Sequence, residues 1–190
     1  MNLEDQGFSQ AYGKLAERTV PSFDAFYDRH QGAWVRYAHT QTGSRDAAEQ
    51  IVDALTAHMA ETWPCVQRDE SAARHAWKVL KATVTRWLDE HGTGPAFVET
   101  AVFDRVTRVL AQSKERFAAM EESLGLYSAI SRLPDRQYDS IVLCYVLNYP
   151  YSTTASLLGV AESTVRSNVR HAKAHLAKEL GIQYSIGNEA

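Results

Sequence analysis

The stretch Tyr149–Leu180 leaves this chain the least freedom. It reads YPYSTTASLLGVAESTVRSNVRHAKAHLAKEL. Two helical patterns flank a bend at Leu158-Gly159-Val160. The first is short; the second starts at a cluster of small polar residues and runs long. Ala155 is small enough to let a second helix pack close. Gly159 accepts positive φ without a Cβ penalty. Val165 falls where a buried branched residue closes a helix-turn-helix, with Leu157, Leu158 and Val169 beside it. The second helix then presents Ser163, Thr164, Arg166, Ser167, Arg170 and Lys173 outward. Small hydroxyls and cations in that register suit the edges and phosphates of a DNA groove.

The rest of the chain reads as further helices. Ser22 predicts an N-cap, with Asp24 in the first turn. Phe23, Phe26, Tyr27, Trp34, Tyr37 and Ala38 recur at spacings of three and four and make an aromatic face. Thr42-Gly43-Ser44 ends that helix. A second runs from Arg45 to Trp63 with Ala48, Ile51, Val52, Leu55 and Met59 on one face, and Pro64 is expected to stop it. Cys65–Ser71 reads as a polar loop. A third helix, Ala72–Glu90, turns Trp77, Leu80, Val84, Trp87 and Leu88 inward. His91-Gly92-Thr93-Gly94-Pro95 is the clearest break and bounds a first domain over 22–92.

A linker over 93–123 contains an amphipathic pattern, Ala96–Glu122, too apolar to be free. The last domain is expected over 124–182. Leu126, Ile130 and Leu133 mark a short helix ended by Pro134. Asp135–Leu147 follows, with Tyr138, Ile141, Val142 and Tyr145 inward. Gly181 caps the final helix. Residues 1–21 and 183–190 read as tails. No strand alternation runs longer than a few residues, so the expected fold class is all-α: two small helical domains joined by a linker helix.

Charge decides where a nucleic acid would bind. The formal net charge over 190 residues is −3, so no whole-chain basic field exists and a local patch must serve. Between Ser22 and Gly92 stand eight Lys/Arg against ten Asp/Glu; between Ala161 and Lys178, four basic residues face Glu162 alone. Arg166, Arg170 and Lys173 share one face, which Ser163 and Ser167 extend. A merely solvated helix face is the alternative, and the turn signature in front argues against it.

Other chemistry finds no support. Cys65 and Cys144 lie far apart with no C-x-x-C, which argues against a disulfide scaffold or zinc ribbon and fits a reducing cytosol. His171 and His175 stand at metal-pair spacing, but no Cys or carboxylate lies at hand in sequence, and neither metal nor cofactor is expected. There is no phosphate-cradling Gly loop, nucleophile elbow or H-E-x-x-H, so no enzyme is expected. The start MNLEDQGFSQ carries acids and no apolar run, unlike a signal peptide. No run approaches membrane-span length, and a cytoplasmic location is the expectation.

The segment SRLPDRQYDSIVLCYVLNYPYSTTASLLGVAESTVRSNVRHAKAHL resembles domain four of the extracytoplasmic-function sigma factors. Leu-Pro-x-Arg-Gln, the apolar run, Leu-Leu-Gly-Val and Thr-Val-Arg-Ser match in order. Ser22–His91 resembles domain two through FDAFYDRHQGAWVRYA, GSRDAAEQIVDA and the Ala-Trp opening of the third helix. The resemblance implies that domain two binds a coiled coil of the RNA polymerase core and opens the minus-ten element, while domain four reads the minus-thirty-five element of promoter DNA. Carried over by position, Ser163, Thr164, Arg166, Ser167 and Arg170 are the reading residues and Lys173 holds a phosphate. Glu49 and Asp53 fall at the acidic positions that face polymerase. An anti-sigma factor is a further partner the resemblance suggests.

The chain departs from the family pattern in places. Ala161 stands where a Ser cap is usual, at a cost of about 1 kcal/mol. Asn168 and His171 occupy family basic positions. In the third helix Lys81-Ala82-Thr83-Val84 replaces the Arg-Asn pair that captures a flipped base, and Trp87-Leu88-Asp89-Glu90 replaces the basic end. Trp77, Lys78, Lys81 and Arg86 remain; Trp87 reads as a core residue more readily than as a base-stacking platform. These departures leave two other readings: a sigma-derived DNA-binding regulator without promoter melting, and a protein-interaction module docked through the Ala96–Glu122 helix.

Overall fold

The computed structural model describes residues 22–66, 71–96 and 118–181. The expected tails and most of the Ala96–Glu122 helix lie outside the described residues. Among those described, the helices are α1 (Phe23–Thr42), α2 (Arg45–Val66), α3 (Ala72–His91), α4 (Ala118–Ser131), α5 (Asp135–Ile141), α6 (Tyr151–Leu158) and α7 (Glu162–Glu179). A π-helical turn, Val142–Val146, extends α5. No strand occurs among the described residues.

Local signals set most boundaries. Ser22 Oγ accepts the Ala25 N–H at 3.2 Å and starts α1, and Gly43 ends it at φ 68. Ser71 Oγ accepts the Arg74 N–H at 3.1 Å and starts α3, which closes at Gly92, φ 61. α4 begins inside the segment read as linker and runs on to Ser131. Pro64 does not stop α2 as expected: the helix continues to Val66. Proline lacks an N–H and its ring crowds the carbonyl four residues back. Here Trp63 and Val66 on either side of it are both buried, and their burial carries the helix past the proline. Cys65 therefore rides exposed on the last turn of α2 rather than in a loop.

In the first unit, α1–α3, the apolar faces close on Trp34, Ile51, Leu55, Met59 and Leu80. Phe26 lies 4.9 Å from the Trp63 ring and 5.8 Å from Trp34. His30 is buried in the same layer, its Nδ1 2.7 Å from the Phe26 carbonyl. Burial lowers its pKa, and the Phe26 carbonyl offsets that only in part. Apolar spacing passes over such a residue because an ionisable ring carries no hydrophobic signal.

The second unit buries Val142, Leu143, Thr154, Val165 and Val169. Spacing predicts Tyr145 inward, yet it is 37% exposed. The π turn is the reason. It closes an i→i+5 bond, Leu147 N–H to the Val142 carbonyl at 2.9 Å, and the extra residue per turn rotates the face that follows.

The two units do not stay apart. Their buried side chains merge into one hydrophobic cluster that includes Trp77 and Leu80 of α3 and Ile141, Val142, Leu158 and Val165 of α5–α7. The α6–α7 turn sits on the start of α3. Gly159 there has φ +63, and a Cβ on it would fall 2.6 Å from the Arg74 backbone nitrogen. Glycine thus serves both the left-handed backbone and the close approach of the two units.

Candidate nucleic-acid interface

α7 follows from its sequence in two stripes. Val165, Val169 and Ala172 are buried against α5 and α6, which fixes what the opposite face must be. Ser163, Arg166 and Arg170 are exposed; Thr164, Ser167 and Lys173 are half-buried. The six expected reading residues thus share the N-terminal and outer part of one helix. Arg170 makes no ion pair or hydrogen bond among the described residues and is free to meet a ligand. Arg166 Nη2 donates to Glu162 Oε1 at 2.6 Å, and its guanidinium lies 5.2 Å from the Tyr151 ring. Lys173 Nζ lies 5.1 Å from the Tyr145 ring.

Ala161 caps α7 with its backbone alone. No side chain accepts from the first turn, while the Ala161 carbonyl accepts the Thr164 and Val165 amides at 3.0 and 3.3 Å. Glu162 in that turn supplies a negative charge where the helix dipole favours one. The missing cap therefore costs less than its absence suggests.

Tyr145 and Tyr151 belong to this face, although neither is among the residues that helical spacing turns outward. Their hydroxyls lie 3.4 Å apart. Burial, then the Tyr145 hydroxyl, pushes the Tyr151 phenol up to about 12, so it keeps its proton at neutral pH and is a hydrogen-bond donor. Aromatic faces under Arg166 and Lys173 hold those cations in place, an arrangement worth about 0.5–1 kcal/mol at exposed sites. The signal for them is a pair of tyrosines bracketing Asn148-Tyr149-Pro150, the first of which spacing assigns to the core.

His175 Nδ1 lies 3.0 Å from Gln137 Oε1, which ties this ring to α5. Trp87 is half-buried against the core and stacks on His91 with centroids 3.9 Å apart. Glu49 and Asp53 sit one turn apart on the exposed face of α2, with Arg45 Nε 2.9 Å from Glu49 Oε1. Among the described residues no helix is long and apolar enough to cross a membrane.

A cleft of about 720 Å³ separates the start of α7 from α3. Arg74, Lys78 and Lys81 line one wall, Thr164 and Asn168 the other. Asp139 of α5 closes its floor at 5% exposure. Its carboxylate accepts the Tyr37 hydroxyl at 3.2 Å, the Trp77 indole N–H at 3.0 Å and Lys81 Nζ at 3.3 Å. Tyr138 donates to Gln41 Oε1 at 2.7 Å alongside. Trp77 and Lys81, retained from the family's third helix, are thus committed to the second unit. Spacing places Trp77 inward; it gives no sign of the acceptor.

The sequence between α4 and α7 and the helices it forms match a known pattern. The family model described as "Sigma-70, region 4" matches residues 123–176. Two relatives, each described as ECF RNA polymerase sigma factor SigM, come from the Erdman and H37Rv strains of Mycobacterium tuberculosis. Both are 31% identical over 172 residues, covering 84% of this chain and 78% of theirs. A co-crystal structure of the sigma factor RpoE with the anti-sigma factor NepR from Bartonella quintana shows a TM-score of 0.39 at 16% identity, over 80% of this chain and 92% of that one. Identity to the SigM relatives across most of both chains, with the region-4 match lying on the helix-turn-helix, identifies the family: the chain belongs to the extracytoplasmic-function RNA polymerase sigma factors.

Proposed function

We propose that this sigma factor reads promoter DNA with the outer face of α7 and holds RNA polymerase with the acidic face of α2. The protein is a transcription initiation factor that binds core polymerase and directs it to promoters through its C-terminal helix-turn-helix. The proposal concerns which residues do this, and the cytoplasm as the place. The observation that carries it is the division of α7 into a buried stripe and an exposed hydroxyl-and-cation stripe. Ser163, Thr164, Arg166, Ser167 and Arg170 face base edges, and Lys173 faces a phosphate. Tyr145 and Tyr151 brace the cations. Affinity from so few cations is low on its own, and tethering to polymerase compensates by raising the effective concentration.

Run-off transcription and promoter binding with reconstituted holoenzyme test both halves. Arg170→Ala or Arg166→Ala should weaken specific binding by about 1–3 kcal/mol. Lys173→Ala should lower affinity evenly across sequences and flatten its salt dependence. Unchanged binding in all three would show that α7 does not face DNA. On the polymerase side, Glu49→Lys with Asp53→Lys should cut retention on core enzyme by about tenfold or more, as charge reversal at an interface does; full retention would remove α2 from that role. Binding without promoter opening would favour a regulator that has lost melting, a reading that the engagement of Trp77 and Lys81 with Asp139 supports.

A further inference from the structure

The cleft between α3 and the start of α7 gathers more cations than it neutralises. Arg74, Lys78, Lys81 and Arg136 line it, against the carboxylates Asp135 and Asp139. Four cations against two ionised carboxylates leave a charge of +2, in a chain whose net charge is −3. Both carboxylates are already committed to Lys81, at 3.4 and 3.3 Å. The other three cations have no counterion among the described residues. Lys78 and Arg136 make no side-chain bond there at all. Arg74 spends only Nη2, donating to the Gly159 carbonyl at 2.8 Å, and keeps its other N–H groups. Arg74 and Lys78 also stand one turn apart on α3, where like charges repel. Such a group within a concave wall focuses field on whatever anion enters.

The opposite wall offers donors as well. Ala161, Thr164 and Asn168 line it. No side chain caps α7 at Ala161, so the first-turn amides of an 18-residue helix face the cleft end uncovered by any side-chain acceptor. A helix N-terminus favours an anionic oxygen group. The volume, about 720 Å³, lies within the range of about 300–1,000 Å³ that small-molecule sites occupy.

We propose that this cleft is a binding site for a small ligand carrying two or three linked phosphates. Lys78 and Arg136 pair with separate phosphates, and Arg74 donates to the group between them. The amide end of α7 and the Thr164 hydroxyl take the oxygens on the far side. Linked phosphates fit because the charge to be matched exceeds one and is spread over α3 and α5. Guanidinium and ammonium groups bind phosphate oxygens by charge-assisted hydrogen bonds. The site does not depend on which face of α7 meets DNA.

The test is calorimetric titration of the full chain with inorganic triphosphate in magnesium-free buffer, with thermal melts alongside. Triphosphate should bind one per chain, raise the melting temperature, and bind about tenfold or more tighter than orthophosphate. Lys78→Ala and Arg136→Ala, at exposed side chains without partners, should each weaken it about tenfold. Arg29→Ala, an exposed cation outside the cleft, should leave it unchanged. No heat and no thermal shift at millimolar triphosphate overturns the site. Equal loss in all three variants overturns it too, since the attraction would then be diffuse. Orthophosphate binding as tightly as triphosphate would mean an adventitious ion only. Equal affinity for citrate overturns the phosphate class. A short single-stranded DNA that displaces triphosphate at lower concentration would assign these cations to a nucleic-acid strand and overturn the small ligand.

Discussion

Trp34→Ala is expected to cost about 3–5 kcal/mol of unfolding free energy, the range for an aromatic-to-alanine change in a packed core. Trp34 is fully buried and is the largest side chain at the centre of α1–α3. Phe26, Tyr27 and His30 all lie against its ring, with centroids 5.8, 6.4 and 5.6 Å away. Truncation would leave a void among rings that cannot collapse far, because all three are fixed along α1, the helix that carries Trp34. A domain of this kind has about 5–15 kcal/mol in total, so the variant should be marginal at best. Trp34→Phe should cost much less. The indole Nε1 has no hydrogen-bond partner among the described residues, so phenylalanine forfeits area and no bond. Denaturant midpoints of the two variants decide this. A Trp34→Ala cost near that of Trp34→Phe would mean that the ring is not the centre of the core.

Gly159→Ala is the second large effect. A non-glycine residue in the left-handed region costs about 1–2 kcal/mol. At φ +63 that strain falls on the helix-turn-helix itself. The new methyl also meets the Arg74 backbone nitrogen and Cβ, at 2.6 and 2.9 Å. Backbone cannot swing aside as a lysine tip would, so overpacking adds about 1–3 kcal/mol. The sum, about 2–5 kcal/mol, is divided between two places, and that division is testable. Thermal melts report the whole; energy transfer between dyes on Cys65 and on a cysteine introduced by Lys178→Cys, with Cys144→Ser, reports the part that separates the units. Arg74→Ala in the same chain should not rescue closure, because the crowding is with the Ser71 hydroxyl and with the Arg74 backbone nitrogen and Cβ, all of which that variant keeps. A thermal shift worth less than about 1 kcal/mol would show that the turn accommodates a side chain.

Whatever depends on near neighbours is legible in the sequence. Ser22 and Ser71 bond to amides three residues on, and Gly43, Gly92 and Gly159 take positive φ where a helix must stop; each is a short-range requirement of one backbone. The buried stripe of α7 is likewise periodic, so spacing alone picks out the outward side of that helix. The relation between the units has no such signal. Asp139 meets Tyr37, Trp77 and Lys81 across 102, 62 and 58 residues, and no local pattern marks a carboxylate that will be buried by another unit. Tyr145 and Pro64 mislead for a different reason. A regular α-helical period turns the first inward and ends the helix at the second, and a π turn and a pair of flanking buried residues override it.

The same long separations set an order of events during synthesis and refolding. Contacts within α1–α3 join residues near in sequence and form early; pairings that close long loops form late. The N-terminal unit leaves the ribosome first. The anion socket of Tyr37, Trp77 and Lys81, the three donors to Asp139, is therefore built before residue 139 exists, and it must wait, solvated, for the carboxylate that ends its exposure. Seating of Asp139 should be the final step of folding, with the environment of Trp77 the last to settle in a refolding trace. For that interval a nascent chain carries an empty anion socket, and any acidic surface nearby competes for it with a residue not yet made.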